Sequence, residues 1–194
     1  MARPREFNEG EALEKAMDVF WSKGYEAASL VDLTTAMGLS KSSLYDTFGN
    51  KHELYLAAMD RYNETVASIA VGSIIEEAGG GKKGIAAVFK CFVKSMTCPE
   101  GRRGCFVANS AVEMGSRDDA AAKRACAGLA CMEQSFLEAV ETAQVAGDIP
   151  ADRDALALAR YLTASLNGMI VIAKARPEAM ALEDVARMTL RALD

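Results

Sequence analysis

The sequence predicts an all-α fold, and three observations support that prediction. Good helix formers such as Ala, Leu, Met, Glu and Lys dominate the 194 residues, whereas strand formers are sparse. Apolar residues recur at steps of three and four along most segments, which is the period of an amphipathic helix. Only 4 residues are Pro, and most of the 15 Gly fall between the periodic segments, where glycine commonly ends helices.

The first two predicted helices are marked by their caps. Residues 9–23 carry one apolar face, and Gly24 follows as a stop signal. Ser29 has the residue type of an N-cap, and Asp32 would lie near the positive end of the second helix. Gly38 then ends this second helix.

A third and a fourth helix follow at once. Ser40 is the expected N-cap of the third helix, which Gly49 ends after barely two turns. Asn50 opens the fourth helix, with Glu53 three residues further on, as in a capping box. We expect this fourth helix to continue to about residue 78.

The remaining sequence predicts a larger helical region after a glycine-rich break. The stretch "GGGKKG" at residues 79–84 interrupts the apolar period and is expected to be flexible. We divide the chain into a head, residues 1–50, and a body, residues 51–194. Further helices are predicted in the body at residues 85–97, 105–114, 118–146, 153–175 and 182–193.

Residues 29–48 form a helix, a short glycine turn and a second helix, which is the helix-turn-helix arrangement. The second helix is expected to enter a major groove of DNA with its first residues nearest the bases. That start consists of small or flexible hydrogen-bonding residues: Ser40, Lys41, Ser42 and Ser43. A helical hairpin whose serines only cap helices is the alternative interpretation.

Other residues around this helix are expected to contact phosphates. Tyr45 lies one turn further on, and its hydroxyl can reach a phosphate. The backbone N–H groups of Lys51 and His52, together with the Lys51 charge, would form a phosphate clamp at the start of the fourth helix. Arg3 and Arg5 precede the first helix and are expected to form a basic arm.

The segment "AMDVFWSKGYEAASLVDLTTAMGLSKSSLYDTFGNKHELYLAAM" resembles the N-terminal domain of the TetR family of bacterial transcriptional regulators. The matching elements are "F..KGY" at 20–25, "LTTAMGLSKSSLY" at 33–45 and "FGNKHEL" at 48–54. Ala28 departs from the Thr of many relatives, so the phosphate contact that the resemblance implies there is lost or moves to Ser29. It implies a homodimer that binds a palindromic operator in double-stranded DNA, usually as a repressor released by a small-molecule effector.

The resemblance also implies an effector cavity in the body without identifying the ligand. Periodicity turns several body residues inward, and Asn109 would be a rare polar group among them. Plain core packing is the alternative for each of these residues. The candidate lining residues are Tyr62, Val66, Phe89, Phe92, Met96, Cys105, Phe106, Asn109, Met114, Met132 and Phe136.

The five cysteines suggest a second sensing mechanism. Their number is odd and they lack the short ligand pairs of zinc sites, so we expect neither a disulfide framework nor a metal site. Cys105 would begin a helix beside Arg102 and Arg103, and both features favour the thiolate form. "GCFVANSAVE" at 104–113 is also similar to a Gly-Cys stretch in TetR-family relatives that sense reactive electrophiles. Cys105 is accordingly either a reactive sensor or an ordinary buried thiol.

Residues 155–175 are apolar nearly all round, so this helix must be buried on all sides. The body has too little material to cover it. This predicts that the helix pairs, together with residues 182–193, with the same surface of a second copy about a two-fold axis. The expected interface residues are Leu158, Leu162, Leu166, Met169, Val185 and Met188.

Composition and motifs argue against several classes of protein. A net charge of -5 argues against a protein that coats nucleic acid non-specifically. No apolar signal segment follows Met1, and polar residues interrupt 155–175, so we expect a cytoplasmic protein without a membrane span. No catalytic motif or phosphate-binding glycine loop is evident, so we expect neither enzyme activity nor a cofactor. A helical ligand-binding dimer without a role on DNA stays open as an alternative.

Overall fold

The computed structural model describes residues 7–98 and 103–194, and of residues 67–69 it describes the backbone alone. The expected basic arm with Arg3 and Arg5 lies outside these residues, and so does Arg102, which the sequence places beside Cys105. The described residues form helices without strands. The helices are α1 (Glu9–Lys23), α2 (Leu30–Met37), α3 (Lys41–Phe48), α4 (Lys51–Tyr62), α5 (Ser68–Glu77), α6 (Gly81–Met96), α7 (Phe106–Met114), α8 (Asp119–Val145), α9 (Ala155–Ala175) and α10 (Ala179–Arg191).

The predicted all-α fold is confirmed, and its first helices begin where their caps indicate. Ser29 and Asp32 form a reciprocal capping box at the start of α2, and Asn50 and Glu53 form another at the start of α4. Gly38 ends α2 in the left-handed conformation with φ 69°, which a residue with a side chain rarely adopts.

The predicted fourth helix differs from the structure because its hydrogen-bonding register changes partway. A π-helical segment, Asn63–Ala67, separates α4 from α5. The Asn63 side-chain amide donates to the carbonyl of Arg124 on α8 at 3.0 Å, and the Thr65 hydroxyl donates to the Arg61 carbonyl. Such a local widening is typical of functional regions of helices.

The glycine-rich break is a tight turn and not the flexible segment that the sequence suggests. Gly79 and Gly80 have positive φ, and α6 already begins at Gly81, four residues earlier than expected. Gly84 lies against α5 so closely that an added Cβ would meet Ile75 at 2.8 Å. The turn therefore fixes α6 against α5.

The long helix α8 forms the axis of the body. It packs against α5, α6, α7 and α9, while α10 lies against α6 and α9. Phe89 of α6 stacks on Phe136 of α8 with ring centroids 6.1 Å apart. The head has its own core, in which Phe20 of α1 meets Tyr55 of α4 edge to face. The start of α4 thus packs with the head although it begins the body.

The predicted interface on α9 requires a correction. Leu158, Leu162, Leu166 and Met169 are buried in the chain's own core, because they face α8 and the neighbouring body helices. Among the described residues, α9 is the one helix whose length and apolar composition would also suit a membrane span. Eight of its residues nevertheless pack inside the body, so α9 is a core helix with one exposed apolar side. That side and the outer side of α10 expose Leu156, Tyr161, Val171, Ile172, Val185 and Met188.

Candidate nucleic-acid interface and the cavity behind it

The helix-turn-helix of the head is held together by a small apolar centre. Leu33 and Met37 of α2 and Leu44 of α3 are buried, and Leu39 in the turn packs against the same core. Burial of these side chains fixes the angle between α2 and α3. The opposite side of α3 remains in contact with solvent.

The first turn of α3 is presented outward. Lys41 and Ser42 are exposed, and Tyr45 is 38% exposed one turn further on. The Ser40 hydroxyl accepts a hydrogen bond from the Ser43 backbone N–H at 3.1 Å, so Ser40 acts as the N-cap. Ser42 and Ser43 hydroxyls each lie 2.9 Å from the Ser40 hydroxyl. The serines therefore shape the helix start and also offer hydroxyl groups at the surface.

The Lys41 ammonium lies 5.7 Å from the centroid of the Tyr45 ring. This places a cation and a phenol hydroxyl on the same exposed face, as a phosphate contact requires. Ser29 is exposed at the start of α2, but its hydroxyl is already engaged with Asp32.

The expected phosphate clamp at α4 is only partly available. The His52 backbone N–H donates to the Asn50 side chain at 2.9 Å, so this group is not free as expected. The His52 imidazole contacts the Asp118 carboxylate of the body. The Lys51 ammonium lies 4.6 Å from the Tyr25 ring centroid and 3.4 Å from the Glu26 carbonyl. The side-chain contacts of His52 and Lys51 are long-range, which is why the local helix-start pattern did not indicate them.

Polar contacts tie the head to the body. The Glu113 carboxylate of α7 accepts hydrogen bonds from the backbone N–H groups of Tyr25 at 3.0 Å and Glu26 at 2.9 Å. The Asp118 side chain accepts from the Ala121 N–H and contacts His52, and these interactions hold the pKa of the Asp118 carboxyl below its usual range. The loop between α1 and α2 is therefore fastened to the end of α7, and the start of α4 is fastened to the N-cap residue of α8.

Trp21 provides a second link between head and body. Its indole N–H donates to the Gly104 carbonyl at 2.9 Å, and the Arg103 guanidinium lies 3.5 Å from the ring centroid. Arg103 also forms an ion pair with Asp18 of α1 at 2.8 Å. A part-buried indole N–H needs a hydrogen-bond acceptor, and this need was the one indication of the contact that the sequence offered.

A cavity of about 170 Å³ lies directly behind Trp21. Five of the predicted lining residues surround it, namely Tyr62, Val66, Phe92, Cys105 and Met132. Sequence reasoning missed the rest of the wall, which comes from segments far apart in the chain: Trp21, Ala70, Val71, Gly104, Val107, Gly128 and Ile170.

The other predicted lining residues lie elsewhere. Phe89 and Phe136 stack on each other in the body core, and Phe106 packs edge to face on Tyr55 and Tyr62. Met96 and Met114 are buried without lining this cavity. The Asn109 side chain donates to the Arg103 carbonyl and accepts from the Lys174 ammonium, so it is not the polar group of the cavity.

Cys105 is the N-cap residue of α7, buried against the cavity. The Tyr62 hydroxyl donates to its sulfur at 3.6 Å. Burial, and then the neighbouring Cys105, raise the pKa of the Tyr62 phenol. Cys91, Cys98, Cys126 and Cys131 are exposed, so Cys105 is the cysteine that an occupant of the cavity would meet.

The start of α3 faces outward after a tight turn, and the head that carries it is joined to a helical body with a cavity. These features define a helix-turn-helix transcriptional regulator. The model of bacterial regulatory proteins of the tetR family matches residues 12–58. The model of the tetracyclin repressor-like C-terminal domain matches residues 81–189. The chain belongs to the TetR family of bacterial transcriptional regulators.

Individual relatives agree with this assignment over the whole chain. The HTH-type transcriptional regulator YezE of Bacillus subtilis is 34% identical over 195 residues, which cover 100% of both chains. The HTH-type transcriptional repressor ComR of Escherichia coli is 31% identical over 97% of this chain and 90% of its own. A cysteine-substituted form of the TetR family regulator CifR, solved with a 26 bp double-strand operator DNA, is 33% identical. It superimposes with a TM-score of 0.86 over 99% of this chain and 100% of its own.

Proposed function

We propose that this regulator is a cytoplasmic homodimeric repressor that binds a palindromic DNA operator through the exposed start of α3 and has no catalytic step of its own. The observation that carries the proposal is the outward position of Lys41, Ser42 and Tyr45. The operator DNA in the CifR structure and the repressor name of ComR support it. Two heads related by a two-fold axis would meet half-sites about one helical turn or slightly more apart.

The experiment measures fluorescence anisotropy of labelled DNA from just upstream of the protein's own coding region. Lys41→Ala should weaken binding and reduce the slope of log affinity against log salt by about 1 for each copy's lost phosphate contact. Tyr45→Phe should weaken binding without changing the helix. Lys123→Ala, at an exposed residue of α8, is the matched control and should bind as the wild type does. Equal binding of a scrambled duplex would contradict sequence-specific recognition.

The second copy fits best on an apolar groove formed by α7, α8 and α9. This groove has a volume of about 990 Å³, and small residues such as Ala130, Ala164 and Gly168 permit close approach of two helices. Val171 and Ile172 are exposed along it, 52% and 46% respectively. We therefore place the dimer on the α8–α9 side, which replaces the buried α9 residues proposed from sequence.

The effector would enter the cavity behind Trp21. A volume of about 170 Å³ admits a small, mainly apolar molecule. Because Trp21 belongs to α1 of the head and also lines the cavity, an occupant that displaces the Trp21 ring changes the contact with Gly104. Occupancy of the cavity could move the two heads of the dimer apart. An effector that binds this conformation more tightly than the DNA-bound one, by about 1–3 kcal/mol, would lower DNA affinity correspondingly.

Covalent sensing by Cys105 is a second candidate, because this thiol lines the cavity. A maleimide tests it: the sulfur forms a bond to one alkene carbon, the carbon–carbon π bond breaks, and the thiol proton ends on the neighbouring carbon. N-ethylmaleimide should release operator DNA from the wild type and from Cys91→Ser, whose cysteine is exposed on α6. A Cys105→Ser protein that is released as fully as the wild type would remove this candidate and leave reversible binding.

A further inference from the structure

A second apolar groove lies on the far side of the body, between α6 and α10. It is distinct from the cavity behind Trp21, and its volume is about 770 Å³. The two helices run antiparallel, because Lys82 at the start of α6 pairs with Asp194 at the end of α10 at 2.7 Å. Apolar side chains line it between the charged ones, namely Ala86, Phe89, Val93, Ala186 and Leu190.

The charge around this groove is opposite in sign to that of the chain. The chain carries a net charge of -5, yet five basic and only two acidic residues line the groove. The basic residues are Lys82, Lys90, Lys94, Arg187 and Arg191, and the acidic ones are Glu183 and Asp194. Long basic side chains around an apolar floor complement a molecule that is apolar along its length and anionic at one end.

The available positive charge is concentrated at one place. Lys82 is engaged with Asp194, whose carboxyl pKa the nearby Arg191 also lowers, and Arg187 is engaged with Asp184. Lys90 and Lys94 are exposed one helical turn apart on the same face of α6, and neither has an ion-pair partner among residues 7–98 and 103–194. An anionic group bound between them would neutralise both and would be held at one end of the groove.

We propose that this groove is a binding site for a single-headed amphipathic anion, an alkyl carboxylate. Its carboxylate binds Lys90 and Lys94, and its alkyl chain lies on Phe89, Ala186 and Leu190 towards the Lys82–Asp194 pair, which closes the other end. The volume falls within the range of about 300–1,000 Å³ that small-molecule sites occupy. A concave floor with Lys90 and Lys94 side by side, both without an ion pair in the part of the chain that the structure describes, favours such a ligand over a protein surface.

The groove shares a helix with the cavity behind Trp21. Phe92 of α6 lines that cavity, whereas Phe89 and Val93 of the same helix line the groove. A ligand in the groove therefore contacts the helix that forms one wall of the cavity. The site is nevertheless separate, so its occupancy is measurable without DNA and without an effector.

The experiment is isothermal titration of the full chain with dodecanoate below its micelle concentration. Dodecanoate should bind, decanoate should bind about two- to fourfold more weakly for each methylene removed, and neutral dodecanol should bind at least about tenfold more weakly than dodecanoate. The double variant Lys90→Glu, Lys94→Glu should lose at least about tenfold in affinity. Lys123→Glu, which changes an exposed lysine on α8, should bind as the wild type does.

Two further measurements could contradict the proposal. Ala86→Trp should fill the groove and abolish binding while circular dichroism shows unchanged helicity. Equal affinity of the double variant and the wild type, or equal binding of dodecanol, would overturn the proposal. A halved mass of the double variant in sedimentation would also overturn it, because the groove would then be a contact between copies. None of these measurements involves DNA, so their outcomes do not depend on whether the head binds an operator.

Discussion

At the scale of single residues, Asp32 shows how one carboxylate joins two helices. One of its oxygens accepts from the Lys23 ammonium at 2.5 Å, and the other accepts from the Ser29 backbone N–H at 3.0 Å. The Lys23 hydrogen bond and then those of Ser29 lower the pKa of the Asp32 carboxyl to about 2. The end of α1 is thereby fixed to the start of the helix-turn-helix.

Replacement of Asp32 by Asn should change how stability depends on pH. Because the folded-state pKa is depressed, the carboxylate stabilises the fold above its unfolded pKa near 3.8, and this contribution is lost as the pH falls towards about 2. Urea denaturation should show a shallower fall of the unfolding free energy between these pH values in Asp32→Asn. Asp46→Asn, on an exposed residue of α3, is the control and should retain the wild-type profile. Identical profiles for all three proteins would contradict the role of Asp32.

Glu113 should contribute to the attachment of the head through its two hydrogen bonds to the α1–α2 loop. Glu113→Gln keeps the size but replaces one acceptor oxygen by an N–H₂ group, so one of the N–H groups of Tyr25 and Glu26 loses its partner. We expect a loss of about 1–3 kcal/mol in the free energy of unfolding in urea. Glu141→Gln on the exposed side of α8 should change it by less than about 0.5 kcal/mol. A Glu113→Gln protein as stable as this control would show that the two hydrogen bonds contribute little.

At the scale of helices, the caps determine what the sequence could predict. Ser29, Ser40 and Asn50 accept hydrogen bonds from amides only two or three residues away, so their helix starts are readable locally. The contact of His52 with Asp118 spans 66 positions, and no local pattern encodes it. The contact of Asn63 in the π-helical segment with Arg124 of α8 spans 61 positions and is equally absent from any local pattern. Only five of the twelve residues that line the cavity were predicted, because periodicity shows that a residue faces inward but not which inward residues leave space.

Gly128 tests the packing of α8 against the π-helical segment. A Cβ at this position would lie 2.5 Å from Asn63 Oδ1 and 2.7 Å from Val107 Cγ2. Gly128→Ala should therefore destabilise the protein by about 1–3 kcal/mol despite the better helix propensity of Ala. Gly72→Ala is the matched control, since its Cβ would meet only the Ser135 hydroxyl at 3.5 Å. Thermal unfolding of both variants at one concentration separates the two, and an unchanged melting temperature for Gly128→Ala would contradict the close packing.

At the scale of the whole molecule, the chain leaves two apolar grooves uncovered, and their charges differ. The α6–α10 groove is lined by five basic residues, whereas the α8–α9 groove is lined by one, Arg160, together with Glu133. A nearly uncharged groove of small residues suits a second copy of the same surface, because no like charges meet across a two-fold axis. This difference is why we propose the dimer on the α8–α9 side and the α6–α10 groove as a separate site.

Two charge insertions distinguish this dimer from the one that the sequence suggested. Val171 of α9 and Met188 of α10 are exposed to nearly the same degree, 52% and 54%, so Val171→Glu and Met188→Glu are matched changes. In a two-fold interface each substitution occurs twice, and two buried, unpaired carboxylates cost several kcal/mol. Val171→Glu should therefore sediment as a monomer at micromolar concentration with unchanged helicity, while Met188→Glu remains a dimer. The opposite result would return the interface to α10, and a monomeric wild type would remove the dimer and with it the paired recognition of two half-sites.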